Sequence, residues 1–112
     1  MAVDQPKVID IITKDKNGHF SLVISDHLDW RETSRHLDIL QEKINDYLAF
    51  LEKGEIYEKY PDARGHRIRI DVVFHHRPNA EANSFLARMK SIIADIGFEL
   101  RWELFADTPY KI

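Results

Sequence analysis

The sequence contains no cysteine, and that absence removes disulfide staples, thiol nucleophiles and cysteine-ligated zinc from consideration. Glycine and proline are scarce, with four of each in 112 residues. Gly18, Gly54, Gly65 and Gly97 each stand alone at a turn or helix end, so no glycine-rich phosphate loop exists. No serine lies in a Gly-x-Ser-x-Gly elbow, and no His-Glu-x-x-His motif occurs. No apolar run approaches the ~18 residues of a membrane span. The opening residues MAVDQPKVID lack the basic stretch, apolar stretch and cleavage site of a secretory leader, so the expected location is the cytoplasm.

What is present is an ordinary globular balance: 44% hydrophobic, 31% charged, net charge −3. That length and composition suit a single α+β domain over residues 1–112, with an ordered core over about 7–106. The charge is uneven. Residues 29–58 carry eight acids against four bases, whereas residues 59–77 carry five bases against Asp62 and Asp71.

The best-specified stretch is Ser25 to Gly65. Leu37, Leu40, Ile44, Leu48 and Leu51 recur at helical spacing, and Ile39, Tyr47 and Phe50 widen the stripe until it must face a core. The pattern predicts a helix from Trp30 to Lys53. Asp29 and Glu32 stand at capping-box spacing before it, and Gly54 ends it.

Ahead of that helix, Val8, Ile9, Ile11 and Ile12, the turn pair Asn17-Gly18, and the alternating Phe20, Leu22 and Ile24 predict a β-hairpin. Behind it, Ile56, Tyr57, Tyr60 and Pro61 read as an irregular segment. Ile68, Ile70, Val72 and Phe74 then alternate with polar residues as a third strand. Asn79 caps a second helix through Phe85, Leu86, Met89, Ile92, Ile93 and Ile96, which Gly97 ends. Phe98, Leu100, Trp102 and Leu104 point inward on a last strand, with Glu99, Arg101, Glu103 and Phe105 outward, and ADTPYKI forms a loose tail.

The order is ββαβαβ: a two-layer α/β sandwich of a four-stranded mixed sheet with two helices on one face. The first strand is antiparallel and the strand order is 1-2-3-4. Arg67 and Arg69 are expected beside Glu99 and Glu103 as cross-strand charge pairs.

The segments DHLDW, LQEKINDYLAFLEKGEIYEKYPDARG and GFELRWELF resemble a family of small bacterial proteins classed as a domain of unknown function, over residues 8–105. The resemblance implies a bacterial cytoplasmic protein with this element order. It supplies no activity, cofactor or catalytic residue.

Chemistry is therefore sought residue by residue. Asp26, His27, Asp29, Trp30 and His36 crowd the start of the first helix, and with Tyr57 they are the candidates for a small acid-base enzyme or a metal site. Turn formation and helix capping account for the same residues without chemistry. Consecutive His75 and His76 point to opposite faces of a strand end and do not share a metal. The basic segment Arg64 to Arg77 raises a nucleic-acid reading, which the acids Glu99 and Glu103 oppose.

The favoured reading is a protein-interaction module using the uncovered sheet face or the acidic helix. On that face Val8, Ile12, Val23, Val73 and Phe105 form an apolar stripe, and Arg67 and Arg101 supply charges for a two-fold homodimer. No metal or cofactor is implied, nucleic acid is disfavoured, no membrane is expected, and the expected partner is a protein or a second copy of the chain.

Overall fold

A computed structural model of the chain describes residues 11–14 and 18–108. The elements run β1 (Ile11–Lys14), β2 (Phe20–Asp26), α1 (Thr33–Glu52), α2 (Glu55–Lys59), β3 (Ile68–Phe74), α3 (Ala80–Ile96) and β4 (Glu99–Leu104). Short 3-10 turns occupy Pro61–Ala63 and Phe105–Asp107.

The sheet has the order β1-β2-β3-β4, with β1 antiparallel to β2 and the remaining neighbours parallel. Parallel neighbours require crossovers, and α1 and α3 supply them. The alternation then sorts the side chains. Phe20, Leu22, Ile24, Ile70, Val72, Phe74 and Leu100 enter one buried cluster with Leu40, Ile44, Leu48 and Leu51 of α1 and Phe85, Leu86 and Ile93 of α3. Trp102 and Leu104 pack partly buried against it. The predicted phase of β3 and β4 therefore holds, as do the two layers.

Four expectations change. The segment after α1 is not irregular throughout: Gly54 turns the chain with φ +76° into the short α2, and Ile56 is fully buried in the core. β4 ends at Leu104, so Phe105 lies in a 3-10 turn and not on the strand. Helix α1 begins at Thr33, three residues late, because Trp30 is held elsewhere. Its indole nitrogen donates to the His76 carbonyl at 3.1 Å, and the Thr33 hydroxyl donates back to the Trp30 carbonyl at 3.0 Å. No capping box forms, because Asp29 Oδ1 accepts from the Arg31 amide at 3.1 Å and Glu32 makes no side-chain cap. The cap expected on the second helix is in place: Asn79 Oδ1 accepts from the Ala82 amide at 2.9 Å.

Val8 and the tail from Pro109 lie outside the described residues. Among the described residues, no helix is long and apolar enough to cross a membrane.

Candidate functional site

Strands β2, β3 and β4 are parallel, so their carboxyl ends collect at one end of the sheet, where open α/β sheets place their ligands. Asp26 closes β2 there, and α1 begins seven residues later. The loop between them folds back so that helix residue His36 reaches the strand end. His36 Nε2 lies 2.6 Å from Asp26 Oδ2, with both side chains buried. Asp26 Oδ1 accepts from the Leu28 amide at 3.1 Å. Trp30 covers the imidazole with ring centroids 3.7 Å apart and planes at 16°.

The hydrogen bonds decide what this pair can do. His36 Nδ1 lies 2.8 Å from the Asp29 carbonyl oxygen, which can only accept, so Nδ1 carries a hydrogen. The short contact from Nε2 to the carboxylate needs a second hydrogen between those two atoms. Both ring nitrogens are thus spent on internal acceptors. Neither offers a lone pair to a metal, and neither is open to take a proton from a substrate. The pair is a lock that ties the β2 end to α1.

Beside the lock runs an open groove of about 470 Å³, lined by His27, Asp29, Arg31, Glu32, Arg35 and His76 among others. Its charges are matched locally. Arg31 Nε is 3.3 Å from Asp29 Oδ2, and Arg35 is 3.9 Å from Glu32. Among the described residues, no three His, Asp or Glu side chains gather in a way that would hold a metal ion. Tyr57 is not part of this region: it lines a groove of about 490 Å³ at the opposite end of the sheet with Gly65, His66 and Arg67.

At the same carboxyl end, beyond β3, His75 stacks on Phe105 with centroids 4.7 Å apart and planes at 12°. Phe105 nevertheless stays 41% exposed. His76 follows and lines the groove, and Arg77 lies by Trp102 and Glu103.

The sheet face away from the helices differs from the uncovered face expected, since Ser21, Val23, Asp71 and Val73 on it are all fully buried. Val23 and Val73 are fully buried, and Ile12 pairs with Leu22 and packs on the helix side, so these residues make no exposed apolar stripe. The centre of that face is instead a charge cluster. Buried Asp71 takes a two-point contact from Arg101, at 2.8 Å and 3.1 Å, and lies 3.3 Å from Arg69 Nε. Arg69 also donates to the buried Ser21 hydroxyl at 3.1 Å, and Arg101 reaches Glu103 at 3.8 Å.

Of the expected neighbours, Arg69 does stand opposite Glu99 in the β3–β4 register, whereas Arg67 has no β4 partner and Glu103 stands opposite Val73; the close charge contacts centre on Asp71. A single acid inside the apolar run IRIDVVF, two positions from an arginine, was the available signal. Arg67 lies outside β3 and is exposed, with Arg64 against the Tyr57 ring at 4.9 Å. The basic segment is therefore spread along both ends of a seven-residue strand, roughly 20 Å, and forms no single stripe for a phosphate backbone.

Neither the comparison with curated proteins nor that with solved structures returned a match. Residues 1–106 match the model of a family of unknown function (DUF6572), and the chain belongs to that family.

Proposed function

We propose that this chain is a protein-interaction module of the bacterial cytoplasm, and that its contact surface is the carboxyl end of the parallel strands, anchored by Phe105. The observation that carries the reading is an exposed aromatic ring already held in place. Stacking on His75 fixes the Phe105 ring before any partner arrives, so little side-chain entropy is lost on contact. A pre-ordered aromatic bordered by polar and charged groups is the usual form of an interface anchor. His76 and Arg77 provide such a border. The saturated hydrogen bonding of His36 supports binding over acid-base chemistry at this end.

The test is a photo-crosslinking phenylalanine analogue at position 105, with a second version at exposed Asp95 at the far end of α3. A discrete adduct with another protein at 105, absent at 95 and weakened by His75→Ala, is expected. Equal adduct patterns at the two positions would overturn the reading, and an adduct of twice the 13.2 kDa chain mass would assign the surface to self-association.

A further inference from the structure

The sheet has two edges, and they are not alike. At β1, Lys14 stands opposite Phe20 on the helix side and places its ammonium 5.8 Å from that ring. A lysine turned to the inner face of an edge strand is a common guard against edge-to-edge pairing. β4 carries no such lysine of its own, although Lys90 of α3 places its ammonium 5.8 Å from the Trp102 ring. The six residues of β4, Glu99–Leu104, contain no proline, glycine, bulge or inward charge.

The hydrogen-bond phase of that edge follows from the ladder. The Phe20 amide donates to the Arg67 carbonyl, and the Asp26 carbonyl accepts from the His75 amide, so even-numbered residues of β2 face β3. Odd-numbered residues of β3 then face back to β2, and its even-numbered residues face β4. Ile70 and Val72 stand opposite Leu100 and Trp102, and in a parallel ladder they bond to the residues flanking these, namely Glu99, Arg101 and Glu103. The N–H and C=O groups of Leu100, Trp102 and Leu104 are left pointing to the outer edge, which has no strand partner among the described residues.

We infer that this edge pairs with the β4 edge of a second copy, antiparallel, about a two-fold axis at Trp102. Charge and the length of the free edge select the register, since a two-fold at Leu100 also sets Arg101 opposite Glu99 but would pair Trp102 with Phe98, whose amide is already given to the Ile93 carbonyl. A two-fold at Arg101 sets that arginine against its own copy and Glu99 against Glu103, and a two-fold at Glu103 sets acid against acid. A two-fold at Trp102 sets Arg101 opposite Glu103 of the second copy, twice over, with Leu100 opposite Leu104 on the inner face. It also brings together the residues whose groups point outward, giving three hydrogen-bonded pairs and about six backbone bonds. The result is a continuous eight-stranded sheet with all helices on one side. Ala94 of α3 stands beside Leu100 and leaves room there, whereas the Lys90 side chain, over the Trp102 ring, must swing aside from its own copy for the edges to meet. This inference does not rest on the proposed function, and because the same two-fold brings Phe105 near Glu99 of the second copy, the cysteine register below is what separates the two.

The absence of cysteine makes the register directly readable. Single-cysteine variants at each position from 99 to 105 are oxidised and run without reductant. Trp102→Cys is expected to give the disulfide dimer, because a self-paired position brings its two Cα atoms to about 5.5 Å, within bonding range. Leu100→Cys alone and Leu104→Cys alone stay monomeric, being roughly 14 Å from their own copies along the strand, but mixing those two yields the dimer. That mixture keeps the test valid if Trp102→Cys does not fold. Light scattering on the unmodified chain should give twice 13.2 kDa, and Glu103→Lys should weaken the dimer about tenfold or more by turning two attractive pairs repulsive. A monomer at all concentrations, self-crosslinking centred on another position, or a dimer indifferent to Glu103→Lys would overturn the inference.

Discussion

If the Asp26 and His36 pair is a lock, removing one half must cost more than removing both. In His36→Ala, the Asp26 carboxylate stays fully buried and keeps only the Leu28 amide of its two partners. Breaking a buried pair in this way costs about 3–5 kcal/mol, most of it from the charge or proton left without a partner. The stack with Trp30 adds roughly 0.5–1.5 kcal/mol, and the freed Asp29 carbonyl can turn to water at the groove, which moderates the sum. An expected loss of about 3–5 kcal/mol is a large part of the roughly 5–15 kcal/mol that holds a small domain.

Urea unfolding followed by far-UV circular dichroism measures the effect without relying on the tryptophans. With a slope of about 1.4 kcal/mol/M, the midpoint should fall by roughly 2–3.5 M. The double replacement Asp26→Leu with His36→Phe keeps the volume and removes both polar groups. It should be more stable than His36→Ala by at least about 1 kcal/mol. A loss below about 1 kcal/mol for His36→Ala, or a double variant no better than the single, would refute the lock and reopen a chemical role for the histidine.

Two further outcomes are expected. Trp102→Ala should cost about 2–4 kcal/mol, below the usual full tryptophan penalty because the ring is only partly buried, and an unchanged urea midpoint would contradict its place against the core. Asn79→Ala should cost about 1–2 kcal/mol, since it removes the α3 cap together with the bond from Asn79 Nδ2 to the Thr33 hydroxyl at 2.9 Å. Faster amide exchange in the first turns of both α1 and α3 would distinguish that loss from a general one.

The strands were legible because alternation is a local signal: Ile68, Ile70, Val72 and Phe74 need only their own spacing to announce a buried face. Helix α3 was equally plain, with Asn79 before the stripe and Gly97, at φ +106°, after it. The start of α1 was not. Trp30 to Glu32 have nothing against helix in their propensities, and what unwinds them is the bond to His76, 46 residues away. His36 was misleading for the same reason, since only the fold brings Asp26 to it. Val73 was judged by phase alone. Its strand position is on the face away from the helices, as read, but that face is not open: Val73, Val23, Ser21 and Asp71 have no contact with water.

Asp71 links these errors to the way the molecule can associate. A sheet face whose middle is a buried carboxylate held by two arginines has little to gain from pressing against a second sheet face, because Arg101, with 42% of its side chain exposed, would have to surrender its remaining hydration. Edge pairing makes no such demand. It adds backbone bonds in the plane of the sheet, leaves the Arg101 contact with Asp71 in place, and sets Glu103 of the second copy opposite Arg101. The same cluster that closes the face to an apolar partner is therefore left intact by pairing at the edge.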